Sequence, residues 1–414
     1  AYFPLFIPYS FLEREADHVE GFAPEVAVVT HAGGKELEEK LIVRPTSETI
    51  IYEMFKDWIQ SYRDLPLKVN QWCNVVRWEK RTVPFLRTTE FLWQEGHTAH
   101  STKEEAEKMV ADALDMYHDF VRDFLAIYSI KGRKTEAEKF AGGEYTTTFE
   151  CMMKDKKALQ SGTSHLLSQE FAKSFNVQYL GEDGQQHYAW TTSWGLSTRI
   201  IGAIILMHGD DKGLVLPPQI APTQVLIVPI FKSENRDQVA SYVQEVEESL
   251  KNEGIRYEVD WSENSPGFKF SEGEMRGIPL RLEIGGKDIE KGVVTAVKRN
   301  DGSKSEIAKA EVTSQVNSLL GTIQQEIYAA AEQFTKDNTR EVSSYDEFLE
   351  LVNGTDEAVG FIKAYFCGEK DEEAKIKEET KYTTRCIPFD TIDTEGKCFK
   401  TGRPGKLTIF GKAY

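Results

Sequence analysis

The sequence lacks both common nucleotide-binding fingerprints. It contains neither GxGxxG nor GxxxxGK[ST], so neither a Rossmann cofactor site nor a P-loop is supported. It also lacks any apolar run of membrane-span length and any signal-peptide pattern, which speaks against a membrane-spanning or secreted chain. Cysteine is scarce: Cys73, Cys151, Cys367, Cys386 and Cys398 are odd in number and without tight spacing. That argues against a disulfide scaffold and for a reducing, cytoplasmic setting. Positive charge is in deficit, with 50 Lys and Arg against 67 Asp and Glu and a net charge of −17. A generic phosphate binder is usually basic, so any nucleic-acid contact here calls for a local groove. Internal repeats and low-complexity segments are missing as well. The chain opens AYFPLFIP, a strand already under way with no initiator Met, and further residues are expected upstream.

What is present reads as an ordinary globular protein, 40% hydrophobic and 28% charged over 414 residues, enough for two or three domains. Residues 1 to about 218 alternate strand-like runs with helices. LIVRPTSETIIYEMFKDWIQSY reads as a strand, a turn at Pro45 and a helix opened by Thr46 or Ser47. STKEEAEKMVADALDMYHDFVRDFLAIY reads as an amphipathic helix with a Ser101/Glu104 capping box and an apolar stripe of Met109, Ala113, Tyr117, Phe120, Val121 and Phe124. After LVLPPQIAP the composition changes. QVLIVPI reads as a buried strand, followed by a helix with Val239, Tyr242, Val243, Val246 and Leu250 at helical spacing. IRYEVDW, IPLRLEIG and GVVTAVKRNDGSKSEI supply further strands, the last a hairpin turning at Asn300-Asp301-Gly302. This order implies an α/β domain over 219–307. A helix from about 308 to 334 leads into a third unit, 308–414.

The stretch VVRWEKRTVPFLRTTEFLWQEGHTAH places charge where strands are expected. At a two-residue period Val75, Arg77 and Glu79 share one face; Arg87, Thr89, Phe91, Trp93, Glu95 and His97 share another. A core does not absorb such charge cheaply. A solvated face with cross-strand ion pairs and a ligand site both fit at this point. Arg199 introduces IIGAIIL, which reads as a buried element. Three arginines in such contexts point to an anion site.

RPTSE at 44–48, VVRWE at 75–79, FLRTTEFLWQEGHTAH and SWGLSTRIIG together resemble the class II aminoacyl-tRNA synthetases. With QWCNVVRWE, KFAGGEYTTTFE, GTSH, HGDDKGLVLPP and SPGFKF, the chain more narrowly resembles prolyl-tRNA synthetases of the archaeal and eukaryotic type. The likeness runs through the C-terminal KAY. It implies an α+β catalytic domain, residues 1–218, on a mixed and mainly antiparallel sheet. An α/β anticodon-binding domain and a small α+β C-terminal domain would follow. Only the end of the family's first motif is present, in AYFPLFIP.

The activity implied is proline–tRNA ligation in two steps, with ATP and Mg²⁺, on tRNA(Pro), by a homodimer without membrane association. Phosphoryl chemistry of this kind depends on positioning and charge neutralisation. By the resemblance, the catalytic residues are Arg77, on the α-phosphate, and Arg199, on the γ-phosphate. Glu79 would lie near the adenine amino group and Arg87 over the purine and distal phosphates. Gln160, Thr163 and His165 would complete the site. Thr46 and Glu48 would bind proline's ammonium, and Trp93, Glu95, His97 and Phe140 would wall its ring, with Arg77, Ser193 and Gly195 beside them. Lys269, Glu274, Arg276, Arg281 and Lys287 are the anticodon candidates, though each could equally be a surface charge.

Relatives that bind zinc in the C-terminal domain use four cysteines. Here the positions hold Cys367, Glu372, Cys398 and Thr401, a poor closed zinc site, so zinc is expected to be absent or weakly held. Cys386 is expected in the core, and the C-terminal Tyr414 to fold back towards the catalytic domain with a structural carboxylate. His97 and His100 would face opposite ways in a strand, against a metal there. Between His100 and Thr191 there is no room for an inserted editing domain. A synthetase for threonine or serine, and a non-catalytic RNA-binding paralogue, are the competing readings. The presence of Arg77, Arg87, Arg199 and Glu48 favours catalysis.

Overall fold

The computed structural model describes residues 1–16, 26–355 and 357–414. Its contacts divide into two compact units. The first comprises residues 1–119, 129–203 and 338–414; the second comprises 120–128 and 204–337.

The first unit is built on an eleven-stranded sheet. Its central members run in spatial order Ile130–Arg133, Tyr145–Met152, Ala158–Ser168, Trp190–Ser197, Glu90–His100 and Leu67–Val76, each antiparallel to its neighbour. The helix Glu48–Trp58 buries Ile50, Ile51, Tyr52 and Phe55 in a shared apolar core with Phe171 and Phe175. A strand face that pairs on both sides and carries helices above it must satisfy every polar side chain internally. That requirement concentrates hydrogen bonds at the centre of the sheet.

The C-terminal strands extend this sheet. Tyr382–Pro388 pairs antiparallel with Ile130–Arg133, and beyond it lie Pro404–Lys412, Phe361–Phe366 and Thr339–Glu341. The last two form the parallel pair of an otherwise antiparallel sheet. The junction needs a glycine: a Cβ on Gly132 would stand 2.5 Å from the Ile387 carbonyl oxygen. Beneath it Glu150, fully buried, receives Lys134 Nζ at 2.8 Å and Arg385 Nη2 at 2.7 Å. Burial alone would raise the Glu150 pKa, but the Arg385 and Lys134 charges hold it below its ordinary value.

The second unit is a five-stranded sheet ordered Tyr257–Val259, Val225–Ile230, Leu280–Gly285, Val293–Lys298 and Lys304–Ala308. Its first three strands are parallel and its last two antiparallel. The helix Arg236–Asn252 buries Val239, Tyr242, Val243, Val246 and Leu250, the five positions that its periodicity marked. The long helix Val312–Asp337 packs into the same core through Val312, Val316, Leu320, Ile323 and Ile327.

Several local expectations shift. The first charged strand ends at Val76, so Arg77 and Glu79 lie beyond it, although Arg77 N–H still donates to Thr89 O at 2.8 Å. The helix Lys103–Asp123 is tied at its start by Glu105, which accepts from Ser101 Oγ at 3.0 Å, in place of Glu104. Its buried stripe is Ala106, Val110, Ala113, Leu114, Tyr117 and Val121, while Phe120 and Phe124 are exposed and pair with each other at 5.7 Å. In IIGAIIL, Ile201 and Leu206 are likewise exposed. The interval between His100 and Thr191 holds that helix and three strands of the central sheet.

Candidate active site

Register places the site. Across four neighbouring strands His165 pairs with Ser193 and Ser193 with His97; Thr163 pairs with Gly195, Gly195 with Glu95 and Glu95 with Gln71. These rows point to one face, and all of their members except Gln71 line a cavity of about 260 Å³. Gly96 makes the arrangement possible from the other face, since a Cβ there would stand 2.1 Å from the Trp194 ring.

Carboxylates and cations line the cavity together. Thr46 and Glu48, both buried, sit side by side at the start of the Glu48–Trp58 helix, and the Thr46 hydroxyl donates to Glu48 Oε2. Ser47 holds the N-cap position yet makes no side-chain cap. Its hydroxyl donates instead to Glu95 Oε1 at 2.5 Å. Glu95 also accepts from Gln71 Nε2 at 2.7 Å, Cys73 Sγ at 3.4 Å and His97 Nε2 at 2.9 Å.

Burial favours the neutral form of Glu95, but the bonds from His97, Ser47 and Gln71 outweigh it and its pKa is lowered. Burial likewise opposes charge on His97, and Glu95 with Glu48 reverses the sign, so that its pKa is raised. His165 behaves oppositely: burial first, then the His97 charge, pushes it down to about 3. It is therefore a neutral imidazole at pH 7, bonded to Thr146 Oγ1 at 2.8 Å and Thr163 Oγ1 at 2.9 Å.

Arg77 lines the cavity and is exposed to solvent. Its Nε donates to Pro45 O at 3.0 Å, and its guanidinium lies over the Phe91 and Trp93 rings at 5.4 and 5.7 Å. Arg199 is the first residue of the helix Arg199–His208 and is aimed by Leu86 O, 3.0 Å from its Nε. The Tyr414 ring lies beneath both Arg199 and Arg87, at 5.3 and 5.6 Å. Its hydroxyl bonds Leu86 O at 3.3 Å. The C-terminal residue thus reaches the arginines through its side chain.

Of the sequence candidates, the cavity wall gathers Thr46, Glu48, Arg77, Trp93, Glu95 and His97 with Phe140, Gln160, Thr163, His165, Ser193, Gly195 and Arg199. Glu79 and Arg87 are not in that wall; Arg87 reaches its neighbourhood through Tyr414. Sequence reasoning did not assign Lys134, Glu138, Thr146, Ser161 or Ser197 to the site, although all line it. Thr146 lies inside the KFAGGEYTTTFE block and Ser161 two positions before Thr163, so strand period alone could mark them. Lys134 carried no such signal.

In the second unit, Lys269 is buried and donates to Asp260 O at 2.8 Å. Arg276 Nη2 donates to both carboxylate oxygens of Glu258 at 2.8 Å, and Arg281 lies 4.0 Å over Phe270 while bonding Glu283. Glu274 lies 3.5 Å from Arg281, and Lys287 is exposed. At the degenerate zinc positions Glu372 is paired to Lys375 at 2.8 Å and to Lys400 at 3.7 Å. Cys398 is buried and Cys367 partly so, within one apolar cluster. Among the described residues no group of three or more His, Cys, Asp or Glu is arranged to hold a metal.

Comparison with known proteins identifies this arrangement. Residues 29–208 match the tRNA synthetase class II core domain model for G, H, P, S and T. Residues 224–319 match the anticodon binding domain, and 345–414 the prolyl-tRNA synthetase C-terminal domain. The proline–tRNA ligase of Chlorobium phaeobacteroides strain BS1 is 53% identical, over all of this chain and 87% of its own. That of Chlorobaculum tepidum is 51% identical over the same shares. The crystal structure of Cryptosporidium parvum prolyl-tRNA synthetase, complexed with halofuginone and AMPPNP, superposes with a TM-score of 0.95. It is 44% identical, across all of this chain and 87% of that one. In sequence and in fold alike, the chain belongs to the prolyl-tRNA synthetase family.

Proposed function

We infer that the chain is a proline–tRNA ligase that activates L-proline with ATP and transfers it to tRNA(Pro). The observation that carries the reading is one cavity whose wall holds Thr46 and Glu48 together with Arg77 and Arg199. An amino acid placed there meets a carboxylate at its cationic end and arginine at the end that reacts. A proline carboxylate oxygen attacks the α-phosphorus of ATP, the bond to the bridging oxygen breaks, and pyrophosphate leaves with the electron pair. The terminal ribose hydroxyl of tRNA then attacks the prolyl carbonyl, loses its proton and releases AMP.

We assign the α-phosphate to Arg77, the γ-phosphate to Arg199, and the purine side to Glu79 and Arg87. Glu48 and Thr46 take the secondary ammonium, which must be paired when buried. Trp93 and Phe140 supply the apolar walls for the proline ring, and the Glu95–His97 pair stands beside them in a cavity otherwise lined largely by polar groups. Gln160, Thr163, His165, Ser193 and Gly195 close the nucleotide and tRNA-end side.

Glu48 is engaged by Thr46, and Glu95 by four donors. Magnesium is therefore assigned to the phosphates of ATP as part of the substrate. We infer that zinc has no part, because Glu372 is committed to lysines and a threonine hydroxyl is a weak ligand.

Lys269, Glu274, Arg276, Arg281 and Lys287 are proposed for anticodon recognition, with Lys269 positioning its helix from within. We divide the chain into the domains 1–218, 219–307 and 308–414 and propose the archaeal and eukaryotic subtype, because the interval from His100 to Thr191 holds one long helix and strands of the central sheet in place of an inserted domain. Exposed Trp72 and Leu92, on the outer pair of strands, support a homodimer.

Pyrophosphate exchange driven by a panel of amino acids tests the reading. Proline is expected to lead; threonine or serine outperforming it would overturn the substrate. Exchange with no amino acid would point to a non-catalytic RNA-binding protein.

A further inference from the structure

We propose that Gln71 is a positioning residue for amino-acid recognition, joining the N-terminal backbone at Phe3 to the Glu95–His97 pair that walls the cavity. This rests on the reading of that cavity as the proline site. Gln71 does not touch the space a substrate would fill; it acts through Glu95.

The network has one consistent direction. Phe3 N–H can only donate, and it does so to Gln71 Oε1 at 2.8 Å. The carboxamide is thereby oriented with its NH₂ towards Ser47 Oγ at 2.9 Å and Glu95 Oε1 at 2.7 Å. Ser47 Oγ accepts from Gln71 and donates its own hydroxyl hydrogen bond to Glu95 Oε1. Every donor and acceptor position of the Gln71 side chain facing these groups is used, at 1% exposure. With Oε1 of Glu95 saturated by Ser47, Gln71 and Cys73, Oε2 is left to His97 Nε2.

The far nitrogen of His97, Nδ1, is buried and has no hydrogen-bond partner, on a residue that lines the cavity. It is a polar atom of the cavity wall left open to a ligand, as is the neighbouring Ser193 Oγ. Ser47 gives up a helix cap to serve this shell, which explains why the N-cap of Glu48–Trp58 is unmade.

The charges around the pair come from every neighbouring element. Glu48 acts on His97 from the helix, and Arg77 on Glu95 from beyond the strand. Arg44 acts on Cys73, Tyr117 approaches Glu95 from the Lys103–Asp123 helix, and His165 faces His97.

The test is pyrophosphate exchange by the full chain with proline and ATP varied separately, for Gln71→Met and Gln71→Glu. Gln71→Met keeps the length and removes the carboxamide. KM for proline is expected to rise about tenfold, as for one lost hydrogen bond to a charged group, with KM for ATP unchanged. Gln71→Glu keeps the acceptor for Phe3 and sets a second carboxylate against Glu95. Its proline KM should be worst near pH 8 and recover towards pH 6, as the new carboxyl regains a proton to donate.

Ser47→Ala, which empties the same shell by a different route, should show the same split between proline and ATP. Equal rises in both KM values, or no change for proline in Gln71→Met and Ser47→Ala, would overturn the proposal. A wild type that fails to use proline would instead overturn the substrate assignment on which it rests.

Discussion

The Glu95 carboxylate and the His97 imidazole lie 2.9 Å apart, and each residue is only 1% exposed. A buried ion pair offsets its desolvation only when its remaining lone pairs are satisfied. Here Ser47, Gln71 and Cys73 supply that satisfaction on the Glu95 side.

The opposite shifts of this pair fix a pH signature. Glu95 is lowered, so its contribution to stability is present above the ordinary carboxylate range and is lost as pH falls through its folded value. His97 is raised, so its contribution is fully present below the ordinary imidazole range and is lost as pH rises through its folded value. The stability difference between wild type and Glu95→Gln should therefore be largest between about pH 4.3 and 6.5 and should shrink on either side. Urea unfolding at a series of pH values measures it; a difference that does not vary with pH would count against the pair.

Glu150 sits between Lys134, 16 positions before it, and Arg385, 235 positions after it. Glu150→Ala leaves two buried cations without their counter-ion and is expected to cost about 3–5 kcal/mol, read as a drop in the urea or thermal midpoint. Glu150→Gln should cost less, because it still accepts hydrogen bonds. A loss below about 0.5 kcal/mol for the alanine variant, the range of ordinary surface changes, would show that the network adds nothing.

Tyr414 lies under Arg199 and Arg87, the two arginines proposed for the distal phosphates and purine. Cation–π contacts of this kind are worth about 0.5–2 kcal/mol. Tyr414→Ala should raise KM for ATP by a few-fold up to about thirtyfold and leave KM for proline unchanged. Tyr414→Phe should remain near wild type. A rise in the proline KM alone would contradict this placement.

Much of the site was legible because strand period is a local property. Trp93, Glu95 and His97 share the cavity, as their two-residue spacing implied. Arg77 lines the same cavity, although it follows a strand that ends at Val76 and so lies outside the strand period. Ser47 was readable as a helix opener, but its hydroxyl is committed to Glu95, 48 residues on. Phe120 and Phe124 fell on the apparent apolar stripe, yet the buried face is turned towards Ala106, Val110 and Leu114. A helical pattern fixes relative angles along one helix and leaves open which face meets the core.

By itself the sequence determined the alternation of charged and apolar positions, the helices of the second unit and the inventory of arginines available for anions. The tertiary structure decided which of these meet. Glu150 and Arg385 are separated by 235 positions, and Tyr414 and Leu86 by 328. Pairing over such separations depends on the mutual fit of whole sheets, and Gly132 admits the Ile387 carbonyl where any side chain would block it. The energy of a buried charge depends on where its partners come to rest, and no local pattern encodes that position.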